Sequence, residues 1–151
     1  MKQTVGLISL IVFVASVSFA IAAQDPQQGG RPLSTTLTGA AEVPGPGDPD
    51  GTGTASITLN HGQGEVCYEL TVDKIAAANA AHLHVGAVDK AGPPVVNLTP
   101  PTDGSSKGCT ALEKDKIQEI LKNPENYYVN VHNAEFPDGA VRGQLGKQKS
   151  E

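Results

Sequence analysis

Two alternating stretches joined by a four-residue turn restrict this chain more than any other feature. Thr52 to Asn60 (TGTASITLN) places Ala55, Ile57 and Leu59 on one side of an extended backbone, and Glu65 to Asp73 (EVCYELTVD) does the same with Val66, Tyr68, Leu70 and Val72. Side chains two apart share a face in a strand, so both runs have one apolar face, with Cys67 on the opposite side of the second. His61-Gly62-Gln63-Gly64 between them reads as a hairpin turn, with His61 as no more than a turn residue.

The same rhythm recurs. Strands are predicted for Ala80 to Val88, Val95 to Leu98, Tyr127 to Asn133 and Ala140 to Leu145, the last two joined by Phe136-Pro137-Asp138-Gly139. One helix is predicted after Thr110, which with Glu113 has the spacing of a capping box. Leu112, Ile117, Ile120 and Leu121 form its apolar stripe, and Asn123-Pro124 ends it. Glu42 to Gly53 is too rich in Pro and Gly to be regular. Short strands, one helix, 17 Gly and 11 Pro predict a mainly β fold, an antiparallel Greek-key β-sandwich or barrel with one short helix.

The start of the chain is of another kind. Lys2 precedes an apolar run from Val5 to Ile21, and Ala20-Ile21-Ala22 offers small residues where a signal peptidase cuts. Residues 1–23 are therefore expected to be a signal peptide, with an uncleaved membrane anchor as the alternative. Residues 24–32 read as a flexible lead-in, 33–146 as the folded domain and 147–151 as a polar tail. The protein is expected to be exported, to the periplasm or the extracellular space. Without Lys2, the 11 Lys and Arg fall to ten against 16 Asp and Glu, a net charge of −6. That acidity argues against nucleic acid as a partner, and membrane enters only if the signal segment stays. Cys67 and Cys109 in an exported chain read as one disulfide; a thiolate metal ligand is the other reading.

The chemistry concentrates in Ala81-His82-Leu83-His84-Val85. In a strand His82 and His84 share one face, and the apolar residues take the other. Tyr128, Asn130 and His132 share a face of a later strand. If the two strands are near, His82, His84 and His132 can hold one copper or zinc ion, with Glu42, Asp89 or Glu135 as a further ligand. The competing reading makes the histidines hydrogen-bonding residues that order loops. Arg142 reads as a structural contact with backbone or acid. The residues Asn97-Leu98-Thr99 form a glycosylation sequon weakened by Pro100. Nucleophile-elbow, P-loop and dinucleotide patterns do not occur.

Three blocks carry a resemblance. Leu37-Thr38-Gly39-Ala40-Ala41-Glu42-Val43-Pro44, then Ala81 to Gly86, then Tyr128 to Asn133 followed by Pro137 to Leu145, together resemble the CHRD (chordin-type) domain. The likeness is to the stand-alone form found in exported bacterial proteins. Asn133 and Ala140 depart from the usual pattern, but neither is a histidine. The resemblance implies an immunoglobulin-like or superoxide-dismutase-like sandwich. It also implies a protein-interaction role as an alternative, since chordin binds growth factors; a partner at the cell envelope would follow. The His-x-His strand is similar to the copper strand of copper-zinc superoxide dismutase. That enzyme's two-metal site needs about six histidines, and this chain has four. A mononuclear copper redox enzyme remains as a third reading. A blue-copper site lacks its methionine, because Met1 is the only one and leaves with the signal peptide.

Overall fold

A computed structural model describes residues 30–146. The expected signal peptide, most of the lead-in and the polar tail lie outside the described residues. The described residues form eight strands and one α-helix: β1 (Arg31–Thr38), β2 (Thr52–Asn60), β3 (Glu65–Asp73), β4 (Ala78–Val85), β5 (Pro94–Leu98), β6 (Ser105–Ala111), α1 (Lys114–Lys122), β7 (Tyr127–Asn133) and β8 (Val141–Gln144). All pairings are antiparallel, in the order β5-β4-β7-β8-β1-β2-β3-β6.

The sheet curls until its two edges nearly meet. Thr99, just past β5, has its hydroxyl 2.8 Å from the Tyr68 hydroxyl on β3, and its carbonyl accepts from Ser106 Oγ on β6 at 2.7 Å. The result is a nearly closed barrel in which β7 returns beside β4, a Greek-key connection. Period-two alternation fills the interior. Leu33, Leu37, Ile57, Leu59, Val66, Leu70, Leu83, Val129, Val131 and Val141 are all buried there. The helix adds Ile117 and Ile120 to the same core.

The predicted hairpin β2–β3 has the expected bounds, and β7 does too. The strands predicted from Ala80, Val95 and Ala140 are present with shifted bounds, β4 ending at Val85 rather than Val88. Three other features differ in kind. β1 begins at Arg31, so Arg31 and Pro32 of the expected lead-in belong to the sheet, paired with Leu59 and Thr58. Ser105–Ala111 is a strand where none was predicted. Pairing with β3 and the Cys67–Cys109 disulfide impose extended backbone on residues of low strand propensity. The Thr110–Glu113 capping box does not form. Thr110 pairs with Val66 in that strand, and Glu113 takes the N-cap position without a side-chain hydrogen bond.

Cys67 and Cys109 face each other across β3 and β6, Cα atoms 4.0 Å apart, as one disulfide. The thiolate-ligand reading is thereby set aside. Such a bond suggests an oxidising compartment of the kind exported proteins reach. No helix among the described residues is long and apolar enough to cross a membrane.

Candidate metal centre

β4 and β7 lie side by side, with Ala80 opposite His132, His82 opposite Asn130 and His84 opposite Tyr128. Because Ala81, Leu83, Val129 and Val131 point inward, His82, His84, Tyr128, Asn130 and His132 all stand on the outer face. Diagonal neighbours across an antiparallel pair are within reach of long side chains. The three histidines use that reach: one nitrogen from each falls within a group whose members are all within 4.8 Å of one another. His82 Nδ1 and His132 Nε2 are 3.1 Å apart. Two nitrogens bound to one ion at about 2.0–2.1 Å are separated by about 3.0–3.3 Å at angles near 95–109°. The third stands farther off, still within the 4.8 Å group.

The remaining ring nitrogens are tied to backbone. His84 Nδ1 donates to the carbonyl of Gly92 at 2.8 Å, and His132 Nδ1 donates to the carbonyl of Pro137 at 3.0 Å. A carbonyl can only accept, which assigns the proton to Nδ1 in both rings and leaves Nε2 as a bare lone pair. The carbonyl bonds therefore hold ring and tautomer while keeping the ligand nitrogen free, the usual arrangement behind a metal-bound imidazole. His84 Nε2 is buried with no hydrogen-bond partner, so the site has a donor atom that an ion would satisfy. With His132 Nε2 bare, His82 Nδ1–H donates to it. Coordination through that nitrogen requires the proton to move to His82 Nε2.

Burial sets the charge of the cluster. It pushes His82 down to about 4, helped by the neighbouring His132 and His84. His84 and His132 are also lowered, chiefly by desolvation. All three imidazoles are consequently neutral, the form that binds metal, at neutral pH.

Two loops complete the site. Asn133, fully buried, accepts from the backbone N–H groups of Glu135 and Phe136 at 3.0 and 2.8 Å, a turn that presents the Pro137 carbonyl to His132. The second loop, residues 86–93, supplies Gly92. Sequence patterns carry no sign of either carbonyl, because any residue type has one. Tyr128 and Asn130 were legible as sharing the His132 face, though their partners were not.

The three acids considered as further ligands are not in the converging group. Glu42 accepts from Asn130 Nδ2 at 3.0 Å, and its backbone N–H caps the 3-10 turn Gly39–Ala41. Asp89 is exposed beside Lys90, with 3.7 Å between their charged atoms. Glu135 is an exposed member of the Asn133 turn. Arg142 makes the expected backbone contacts, donating from Nη2 to the carbonyls of Ala87 and Lys90 at 2.8 and 3.0 Å. His61 is an exposed turn residue.

A family model described as the CHRD domain matches residues 33–145. The chain belongs to the CHRD-domain family. No match was found among curated proteins or among solved structures. The three histidines and the loops that hold two of them all lie within this CHRD domain, so the candidate centre is part of the domain itself.

Proposed function

We propose that the protein is an exported metal-binding module, periplasmic or extracellular, in which His82 Nδ1, His84 Nε2 and His132 Nε2 hold one copper(II) or zinc(II) ion. The observation that carries this reading is the convergence of three neutral imidazoles, two with their outer nitrogens on backbone carbonyls. A set of three nitrogens without sulfur favours Cu(II) or Zn(II) over Cu(I). Three protein ligands leave a position open to water or to an exchanging ligand, which suits uptake and release with a protein partner at the envelope.

Titration of the purified mature domain with zinc and with copper(II) tests the reading, alongside the His82→Ala/His84→Ala double variant. One ion per chain, lost in the double variant, is the expected result. Equal binding by both proteins, or by neither, would sink the proposal and leave a protein-interaction module with structural histidines. Superoxide turnover by the copper-loaded form would point to a mononuclear redox enzyme.

The pH dependence follows from the depressed histidines. Ordinary imidazoles lose metal to protons below about 6.5. Here affinity is expected to persist below that point and to weaken only under more acidic conditions, since burial lowers all three. Zinc dissociation constants measured between pH 5 and 8 check this. A decline that already begins above pH 6.5 contradicts it.

A further inference from the structure

One of the three imidazoles is built into a stack. The His84 ring lies against Tyr128, centroids 4.8 Å apart and planes 9° from parallel. The Arg142 guanidinium sits 3.5 Å from the centre of the same tyrosine ring. Since β7 runs between β4 and β8, histidine and arginine approach Tyr128 from the strands on either side. The Tyr128 hydroxyl accepts from the Gly92 N–H at 3.1 Å and donates to the Gly92 carbonyl at 3.3 Å. That carbonyl is the one receiving His84 Nδ1–H. Tyr128 thus touches both the ring of His84 and the group that decides which of its nitrogens carries the proton.

The loop comes this close because of two glycines. A Cβ at Gly92 would lie 1.8 Å from the Val85 carbonyl oxygen, and one at Gly86 would lie 2.8 Å from the Lys90 carbonyl oxygen and 3.0 Å from Tyr128 Cε1. From the sheet side, Arg142 holds the Ala87 and Lys90 carbonyls, and Gln144 Nε2 donates to the Gly86 carbonyl at 2.7 Å. Arg142 is 1 % exposed, Tyr128 2 %.

We propose that Tyr128 is a positioning residue of the metal centre, holding His84 in the Nδ1–H tautomer with its bare Nε2 turned toward His82 and His132. The inference rests on the three-histidine reading above. The stack fixes the plane of the imidazole, and the hydroxyl fixes the Gly92 carbonyl. When that carbonyl drifts, the ring loses the bond that keeps its proton on Nδ1; a proton on Nε2 removes the ligand atom. Partners of this outer kind change metal affinity by about 10–100-fold when lost.

The test is Tyr128→Phe, which keeps the stack and removes only the hydroxyl. Zinc affinity of the full mature chain is measured by competition with a chromophoric chelator, and the His84 tautomer of the metal-free protein by ring nitrogen-15 NMR. Expected are zinc binding weakened by about tenfold or more and a His84 signal moved from the pure Nδ1–H pattern toward a tautomer average. A variant that melts earlier but keeps wild-type zinc affinity and an unchanged His84 signal overturns the proposal, because it shows Tyr128 to be structural only. If wild type binds neither zinc nor copper, the functional reading is lost, while the tautomer comparison in the metal-free proteins still decides what Tyr128 does to His84.

Discussion

Replacing Cys67 and Cys109 together by serine is expected to lower the stability of the domain by about 4 kcal/mol, the chain-entropy value for a closed loop of 42 residues. The bond joins β3 to β6, and β6 is an edge of the sheet whose other side meets β5 only around Thr99. Its sequence, Ser105-Ser106-Lys107-Gly108-Cys109-Thr110-Ala111, alternates between exposed and half-buried and contributes little apolar surface. The crosslink therefore reinforces a strand otherwise held by its ladder to β3. Urea denaturation followed by far-UV circular dichroism measures the loss; the chain has no Trp to serve as a fluorescent probe. Reduction of the wild type should reproduce the result. A loss under about 1 kcal/mol would mean that pairing alone holds β6. Zinc binding by the fraction that remains folded should be unchanged, since β4 and β7 lie on the other part of the barrel.

The second large effect is a gain. Glu42 is 6 % exposed, and burial raises its carboxyl to about 7, against the lowering influence of the Asn130 bond and Arg142. Its Oε1 has no hydrogen-bond partner. Between the ordinary carboxyl value of 4.5 and about 7, the unfolded chain has released this proton while the folded one keeps it. The folded state binds more protons, so stability falls as pH rises through that window, and the full cost is present above it. Glu42→Gln removes the charge and can keep a bond to Asn130. It should therefore stabilise the domain by up to about 3 kcal/mol at pH 8 and by almost nothing below pH 4.5. The histidines act in the opposite sense: His82, lowered to about 4, costs stability as pH falls from 6.5 toward that value, and the lowered His84 and His132 add in the same direction. Urea midpoints of the two proteins at pH 4.5 and pH 8 decide the matter. A variant no more stable than wild type at pH 8 would refute the assignment.

Much of the barrel was legible before any coordinates. Regular alternation marks β2, β3 and β7 because one face of each is apolar and the other is not. β6 escaped because its conformation is dictated by a partner strand and a crosslink that are remote in sequence. The capping-box spacing at Thr110 and Glu113 misled for a related reason: a local preference worth about 1 kcal/mol yields to strand pairing and a disulfide. At the site, His82 and His84 announce themselves by spacing. His132 could be joined to them only on condition that β4 and β7 are neighbours, which they are. The Gly92 and Pro137 carbonyls had no signature at all, being main-chain atoms delivered by loops. Asn133 was noticed only as a departure from the family pattern, yet it shapes the turn that delivers Pro137.

The histidines stand on the outward side of strands whose inward side is already filled. In the proposed metal-binding role, cargo would exchange on that outer side, at the cost of turning a few rings and relocating one proton on His82. Proteins that need an ion in order to fold surrender it only by unravelling. A ligand cluster set apart from the apolar core and the disulfide suits the proposed role of courier or store, rather than that of a rivet.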